Sequence, residues 1–313
     1  MLGLSSSEIT LDGIRQIVYN LDVYDRYPDV CSRYIDPQNT RIIRDGVRAA
    51  ILNRYEKLAS INYFNDETSR FPLIKENKQQ RSILRFFRYL YTCANGSEIF
   101  SEGIRLHFAT TNYDYVIETI LDNILGPDDS LFLYTYRGFT PSKIAGSRNP
   151  VMTHQHWLTQ HLIKLNGGFE ILREENRYHL DYSKRNPEQI AKQPPIIMLP
   201  SREQNYSDPY FHTIFPKIVR LMRETRILII VGYSLPDDDA LIRFVLKQFA
   251  EEPEDAHGKV IFYIDLLSDS DKRLRLKSVF PLIEQIDMPQ VFTYQGSFSD
   301  FTEECVSLIS NST

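Results

Sequence analysis

Apolar positions recur at helical spacing through the first hundred residues and then change to short continuous runs. Residues 40–60 place Ile42, Ile43, Val47, Ile51 and Leu58 at that spacing, after an entry signal at Asp36-Pro37. Residues 77–93 repeat the period with Ile83, Leu84, Phe87, Leu90 and Tyr91. Between them, 61–75 is rich in Asn, Asp, Ser and Pro and reads as a loop.

From about residue 104 the pattern predicts strands at 104–110, 131–138, 161–168, 195–201, 226–232 and 259–265. Helices are predicted at 113–125, 208–225, 238–252 and 268–279, with a kink or break at Pro216. The run 226–232, RILIIVG, is of the kind found in the middle of a parallel sheet. Residues 139–157 read as an irregular connection, and 173–195 as a charged, polar stretch with no assigned element. Strands alternating with helices predict an α/β fold with a doubly wound parallel sheet.

Composition narrows the picture only a little. The 313 residues suffice for one large domain or two modest ones, and 42% hydrophobic with 25% charged is ordinary for a globular chain. A net charge of -5 gives no general attraction to nucleic acid or membranes. There is no run of eighteen apolar residues, and the start lacks a signal-peptide pattern. Cys31, Cys93 and Cys305 are far apart, which excludes a four-cysteine zinc ribbon and reads as small buried thiols in a reducing cytoplasm. His154, His156 and His161 lie near Trp157 without a metal-ligand spacing, so no metal is expected.

In a doubly wound sheet, ligands bind beyond the carboxyl ends of the strands. Four clusters stand there. Thr110-Thr111-Asn112-Tyr113-Asp114 offers hydroxyl, amide and carboxylate groups to a sugar or carboxamide, or else caps the following helix. Lys164-Leu165-Asn166-Gly167-Gly168 admits a close approach by ligand or backbone, or is a plain turn. In Gly232-Tyr233-Ser234-Leu235-Pro236, followed by Asp237, Asp238 and Asp239, the turn suits a phosphate or sugar, and the acids cap the helix or bond ribose hydroxyls. Asp265 suits an adenosine ribose or caps a turn.

In this order the strings ATTNYDYVIE (109–118), LIKLNGG (162–168), PPIIMLPS (194–201) and IIVGYSLPDDD (229–239) resemble the sirtuin-like family, especially its bacterial antiphage-defence branch. The resemblance covers about 104–313 and implies a Rossmann-type sheet with a smaller helical insert. It implies one sirtuin-like domain over 1–313, helical to about residue 100, with its core at about 104–136 and 160–313. Members of the branch are NAD glycohydrolases, which cleave NAD to nicotinamide and ADP-ribose. The implied ligand is therefore NAD or ADP-ribose, and the implied companions are further copies of the chain or a defence-system partner. A non-catalytic assembly module on the same scaffold is the alternative. Lysine deacylation is not expected, because sirtuins with that activity carry the zinc ribbon this chain cannot build.

Carried over residue by residue, Asn112 matches the asparagine beside the nicotinamide ribose, and Asp114 the acid on the nicotinamide side. Gly232 and Ser234 match the turn that holds ribose and phosphates, with Asp265 near the adenosine ribose and Thr110, Thr111 and Gly167 as further contacts. Two departures stand out. Asn166 occupies the place of the catalytic histidine in K-L-H-G, and His161 lies five residues earlier, at the other end of the strand. The family's opening strand and G-A-G-x-S loop are reduced to Gly3-Leu4-Ser5-Ser6. Either a segment is missing before it or the loop has been lost, and a sheet edge is then expected to be exposed.

Overall fold

The computed structural model describes residues 10–27, 29, 37–58, 63–73, 77–95, 105–124, 135–145, 160–201 and 203–310. Three helices come first: α1 (Leu11–Arg26), α2 (Pro37–Leu58) and α3 (Lys78–Asn95). The α1 helix starts where Thr10 Oγ1 accepts the Gly13 amide. The α3 helix packs its Phe86 against Phe298 and Phe301 near the C-terminus, and Ser82 Oγ lies 3.0 Å from Thr302 Oγ1.

The first sheet holds β1 (His107–Thr110), β2 (Thr135–Tyr136) and β4 (Gln160–Lys164), all parallel, in the order β1-β4-β2. In its register Thr110 lies opposite Lys164, which brings the carboxyl ends of β1 and β4 together. Between β1 and β2 runs α4 (Val116–Ile124), and Arg88 donates to the carbonyls of Asn123 and Ile124 at its end. Only residues 135 and 136 of the strand expected at 131–138 show strand structure, and 131–134 lie outside the described residues, as does the connection after 145.

The stretch 173–195, unassigned from sequence, contributes to a second sheet of order β3-β6-β5. Here β5 (Ile171–Glu174) and β6 (Arg177–Asp181) form an antiparallel hairpin, and β3 (Ile144–Ala145) runs parallel to β6. The hairpin turns at Glu175, at φ 54°, and α5 (Pro187–Lys192) follows behind a capping box of Asn186 and Gln189.

Residues 195–201 are not a strand. Their apolar side chains are buried, but their only ladder contact is an isolated bridge between Ile197 and Gly167. The segment crosses the end of β4 and leads to α6 (Pro209–Glu224), which runs on through Pro216.

The third sheet, β7-β8-β9, is parallel and consists of β7 (Ile227–Val231), β8 (Val260–Asp265) and β9 (Gln290–Gln295). Around it lie α7 (Ala240–Lys247), α8 (Pro253–Ala256), α9 (Asp269–Val279), α10 (Leu282–Ile286) and α11 (Phe298–Ser310). The α/β class with parallel strands is therefore as expected. The central place expected for β7 is not. Among the described residues β7 pairs with β8 alone and ends its sheet, as β1 ends the first. Its Leu228 and Ile230 are buried, whereas Ile227, Ile229 and Val231 are 56%, 41% and 41% exposed, so one face is uncovered. Among the described residues no helix is long and apolar enough to cross a membrane.

Candidate functional site

The turns after β1 and β4 are tied to each other. The Leu165 amide donates to the Thr110 carbonyl at 2.8 Å, and Asn166 Nδ2 donates to the Thr111 carbonyl at 3.1 Å. Lys164 Nζ reaches the Asp114 carbonyl at 2.6 Å. Both turns also hold the segment 196–198: the Met198 amide donates to the Asn166 carbonyl at 2.8 Å, and the Tyr113 hydroxyl donates to the Met198 carbonyl.

Within the first turn, Thr110 Oγ1 accepts the Asn112 amide and Asp114 Oδ1 accepts the Val116 amide, so both residues act as local caps. Burial raises the Asp114 carboxyl above its ordinary range, against the Val116 amide and the Lys164 charge. Asn112 is exposed. Asn166 is half-buried, and its Oδ1 is buried without a hydrogen-bond partner. Since Nδ2 already donates to Thr111, this oxygen is a fixed acceptor facing no donor of the chain.

The glycines of the second turn answer to the chain itself. Gly167 has φ +79°, and a Cβ there would stand 2.0 Å from the Ile196 carbonyl oxygen. A Cβ on Gly168 would stand 2.3 Å from Glu170 Oε2 and 2.7 Å from Lys164 Cδ. Of the two close approaches left open by the sequence, ligand or backbone, both positions show the chain's own atoms.

Sequence reasoning missed Glu118 and Glu170. Lys164 Nζ lies 2.9 Å from Glu118 Oε1 and 3.1 Å from Glu170 Oε2, with all three side chains at 2% exposure or less. The same ammonium sits 4.9 Å from the centre of the Tyr115 ring. Burial pulls the Lys164 ammonium down, but Glu118 and Glu170 outweigh it and raise it above its ordinary range. Burial pushes Glu170 up to about 7, with Lys164 opposing and Glu118 adding to the rise. The only sequence signal was a single acid inside each of two apolar runs, VIETIL and FEIL.

The turn after β7 is built differently. Gly232 has φ +60°, and a Cβ there would meet nothing within 4 Å. Its amide donates to the Ile264 carbonyl at 2.9 Å. Ser234 is exposed, and its carbonyl accepts from Arg275. The three acids do not cap α7 through their side chains. Asp239 accepts from the Tyr233 hydroxyl at 2.6 Å and from Gln204, Asp237 lies 3.2 Å from Arg243, and Asp238 lies 3.5 Å from Arg15. Asp265 Oδ1 accepts the Leu267 amide at 2.9 Å, as a turn cap does. The structure thus joins the turns 110–114 and 164–168 directly. The 232–239 turn meets the segment that follows 198 through Gln204.

A cavity of about 870 Å³ borders the same stretch of chain, lined by Met198 and Leu199 with Arg44, Arg48, Arg173 and Asp208. None of Thr110, Asn112, Asp114, Asn166, Gly232 or Asp265 lines it. Its charges are largely compensated, with Arg44 3.1 Å from Asp22 and Arg173 bound to Asp208.

His161 lies on β4 with its Nδ1 3.0 Å from His107 Nδ1. Burial, His107 and Lys217 lower it to about 4, so it is neutral and remote from the Asn166 turn along the strand. Among the described residues no group of three or more His, Cys, Asp or Glu is placed to hold a metal. His154, His156, Cys31 and Gly3 to Ser6 lie outside the described residues, and Cys305 is half-buried against the core.

A sequence profile described as a SIR2-like domain matches residues 106–280, more than half of the chain. No protein of curated function matches it.

Proposed function

The chain belongs to the SIR2-like domain family, whose domains bind NAD, and from that premise we propose that it holds NAD or ADP-ribose at the joined ends of β1 and β4, with little or no turnover. The observation that carries this reading is Asn166 Oδ1, a buried acceptor with no donor, fixed by the Nδ2 bond to Thr111 and standing between the two turns. A ribose hydroxyl or a carboxamide N–H is the donor it lacks. Exposed Asn112 and the half-buried Asp114 border the same place. Gly232 and Ser234 offer an open turn for the phosphate-bearing part, and Asp265 a nearby carboxylate.

Fit to the ligand is uneven along its length. The nicotinamide-ribose end has an orphaned acceptor and an exposed amide. At the phosphate end, the amides of Gly167, Gly168 and Gly232 are all spent on carbonyls of the chain, so binding there is expected to be weak.

Cleavage of NAD by water gives nicotinamide and ADP-ribose and needs a group that takes a proton as the glycosidic bond breaks. Asn166 holds a position and a hydrogen bond but does not titrate near neutral pH. We place the chain beside the NAD glycohydrolases of antiphage defence as a relative that lacks their base. Asn166→His tests this: NAD loss is expected to rise by about 10²–10⁴. No gain in a variant that still binds ADP-ribose would reject the missing-base reading.

A second reading, an assembly module, draws on the uncovered face of β7. Ile227, Ile229 and Val231 lie exposed there, with Phe292 exposed on β9. If NAD and ADP-ribose both leave the melting temperature unchanged while the chain associates through that face, this reading stands instead.

A further inference from the structure

We propose that Lys164, held between Glu118 and Glu170, is the positioning residue of the site: it fixes the 110–114 turn against the 164–168 turn from beneath. Its effect on ligand affinity rests on the reading above, but its effect on the turns does not.

Lys164 is the last residue of β4, and its backbone leads directly into Asn166. Its ammonium crosses to the Asp114 carbonyl at 2.6 Å, so one side chain spans both turns. Glu118 comes from α4 and Glu170 from the residue after Phe169, so the ammonium also joins the helix behind the first turn to the start of β5. Gly168 leaves the space that this cluster fills, since a Cβ there would strike Glu170 and Lys164.

The cluster is unbalanced. Two carboxylates face one ammonium with no exposure to water, and Glu118 Oε2 and Glu170 Oε1 accept no hydrogen bond. Burial and the neighbouring Glu118 disfavour the ionised form of Glu170, and Lys164 favours it. Among the described residues the groups around Glu170 include no second cation paired with it. They are Lys164 from β4, Glu118 and Tyr115 from α4 and the turn before it, Tyr182 after β6, and Tyr210 from α6. Arg137 donates to the Tyr182 hydroxyl at 3.3 Å and to the Thr135 carbonyl at 2.8 Å. Burial lifts Glu170 to about 7, so the proton leaves across the neutral range and the ammonium is then drawn more strongly toward Glu170. The Asp114 carbonyl, which shares that ammonium, feels the change.

In the unfolded chain Glu170 ionises near 4.5, and in the fold near 7. Stability therefore falls as pH rises from about 4.5 to about 7 and is level above.

The test uses backbone NMR of the full chain, following the amides of residues 111–114 and 165–168 against pH. In the wild type they are expected to titrate together with a midpoint near 7. In Glu170→Gln, which keeps the shape, that transition is expected to vanish while the fold remains. A transition that persists in Glu170→Gln, or turn amides that do not titrate in the wild type, would overturn the proposal. ADP-ribose binding, compared at about pH 6 and about pH 8.5, is expected to differ several-fold in the wild type and to be flat in Glu170→Gln. If ADP-ribose binds neither protein, the ligand reading falls and the amide titration still decides the role of Lys164.

Discussion

Where β1 and β4 end, side chains and amides cross from one turn to the other, and a fully buried ammonium lies beneath them. Where β7 ends, the Gly232 turn faces open space, Ser234 is exposed, and the acids that follow turn back to Tyr233, Arg243 and Arg15. The two regions share a topology, a parallel strand that runs into a turn and a helix, but not a means of support. The first is held by charge and packing, and the second by backbone conformation with space left over. A ligand that spans both would find a fixed end and an open one.

The largest expected effect comes from removing the fixed end's cation. Lys164→Met leaves Glu118 and Glu170 buried together without a counter-charge. Denaturant unfolding should show a loss of about 3–5 kcal/mol, the usual cost of breaking a buried ion pair from one side. A loss below about 1 kcal/mol, the range of a surface pair, would mean that the cluster is reached by water.

A smaller effect sharpens the contrast between the two glycine turns. Gly167→Ala and Gly232→Ala both force alanine into positive φ, but only at Gly167 does the new methyl meet a backbone oxygen. The Gly232 change should cost about 1 kcal/mol, from conformation alone. The Gly167 change should exceed it by a further ~1–3 kcal/mol of overpacking. Equal losses would show that the Ile196 carbonyl gives way freely.

The same contrast marks how far the sequence could be read. Apolar runs followed by turn residues located β1, β4, β7 and β8, and the helices expected from 208 and 268 begin behind Asp208 and Ser268, which the structure shows as their caps. What an apolar run reports is burial, not pairing. The segment 195–201 is buried through Ile196 to Leu199 yet forms only one bridge. The run 227–231 has a buried face, Leu228 and Ile230, and an exposed one, Ile227, Ile229 and Val231, and among the described residues it pairs on one edge alone. The hairpin 171–181 escaped notice for the opposite reason. Its residues 173–177 are charged or polar and exposed, and its turn uses Glu175 in place of glycine. Asn112, Asp114 and Asn166 could be singled out because they lie within four residues of the end of a strand. Glu118 and Glu170 were not, since a lone acid in an apolar run gains meaning only when the fold sets it beside Lys164.

If the joined turns form a ligand site built on Asn166, ADP-ribose stabilises the fold through that residue. The most direct test is the melting temperature of the full chain with and without ADP-ribose, for the wild type and for Asn166→Ala. Ligand at a hundred times its dissociation constant stabilises the fold by about 2.7 kcal/mol. The wild type is expected to show a clear rise, and Asn166→Ala a distinctly smaller one at the same concentration. No rise in the wild type, or an equal rise in both proteins, would contradict the claim.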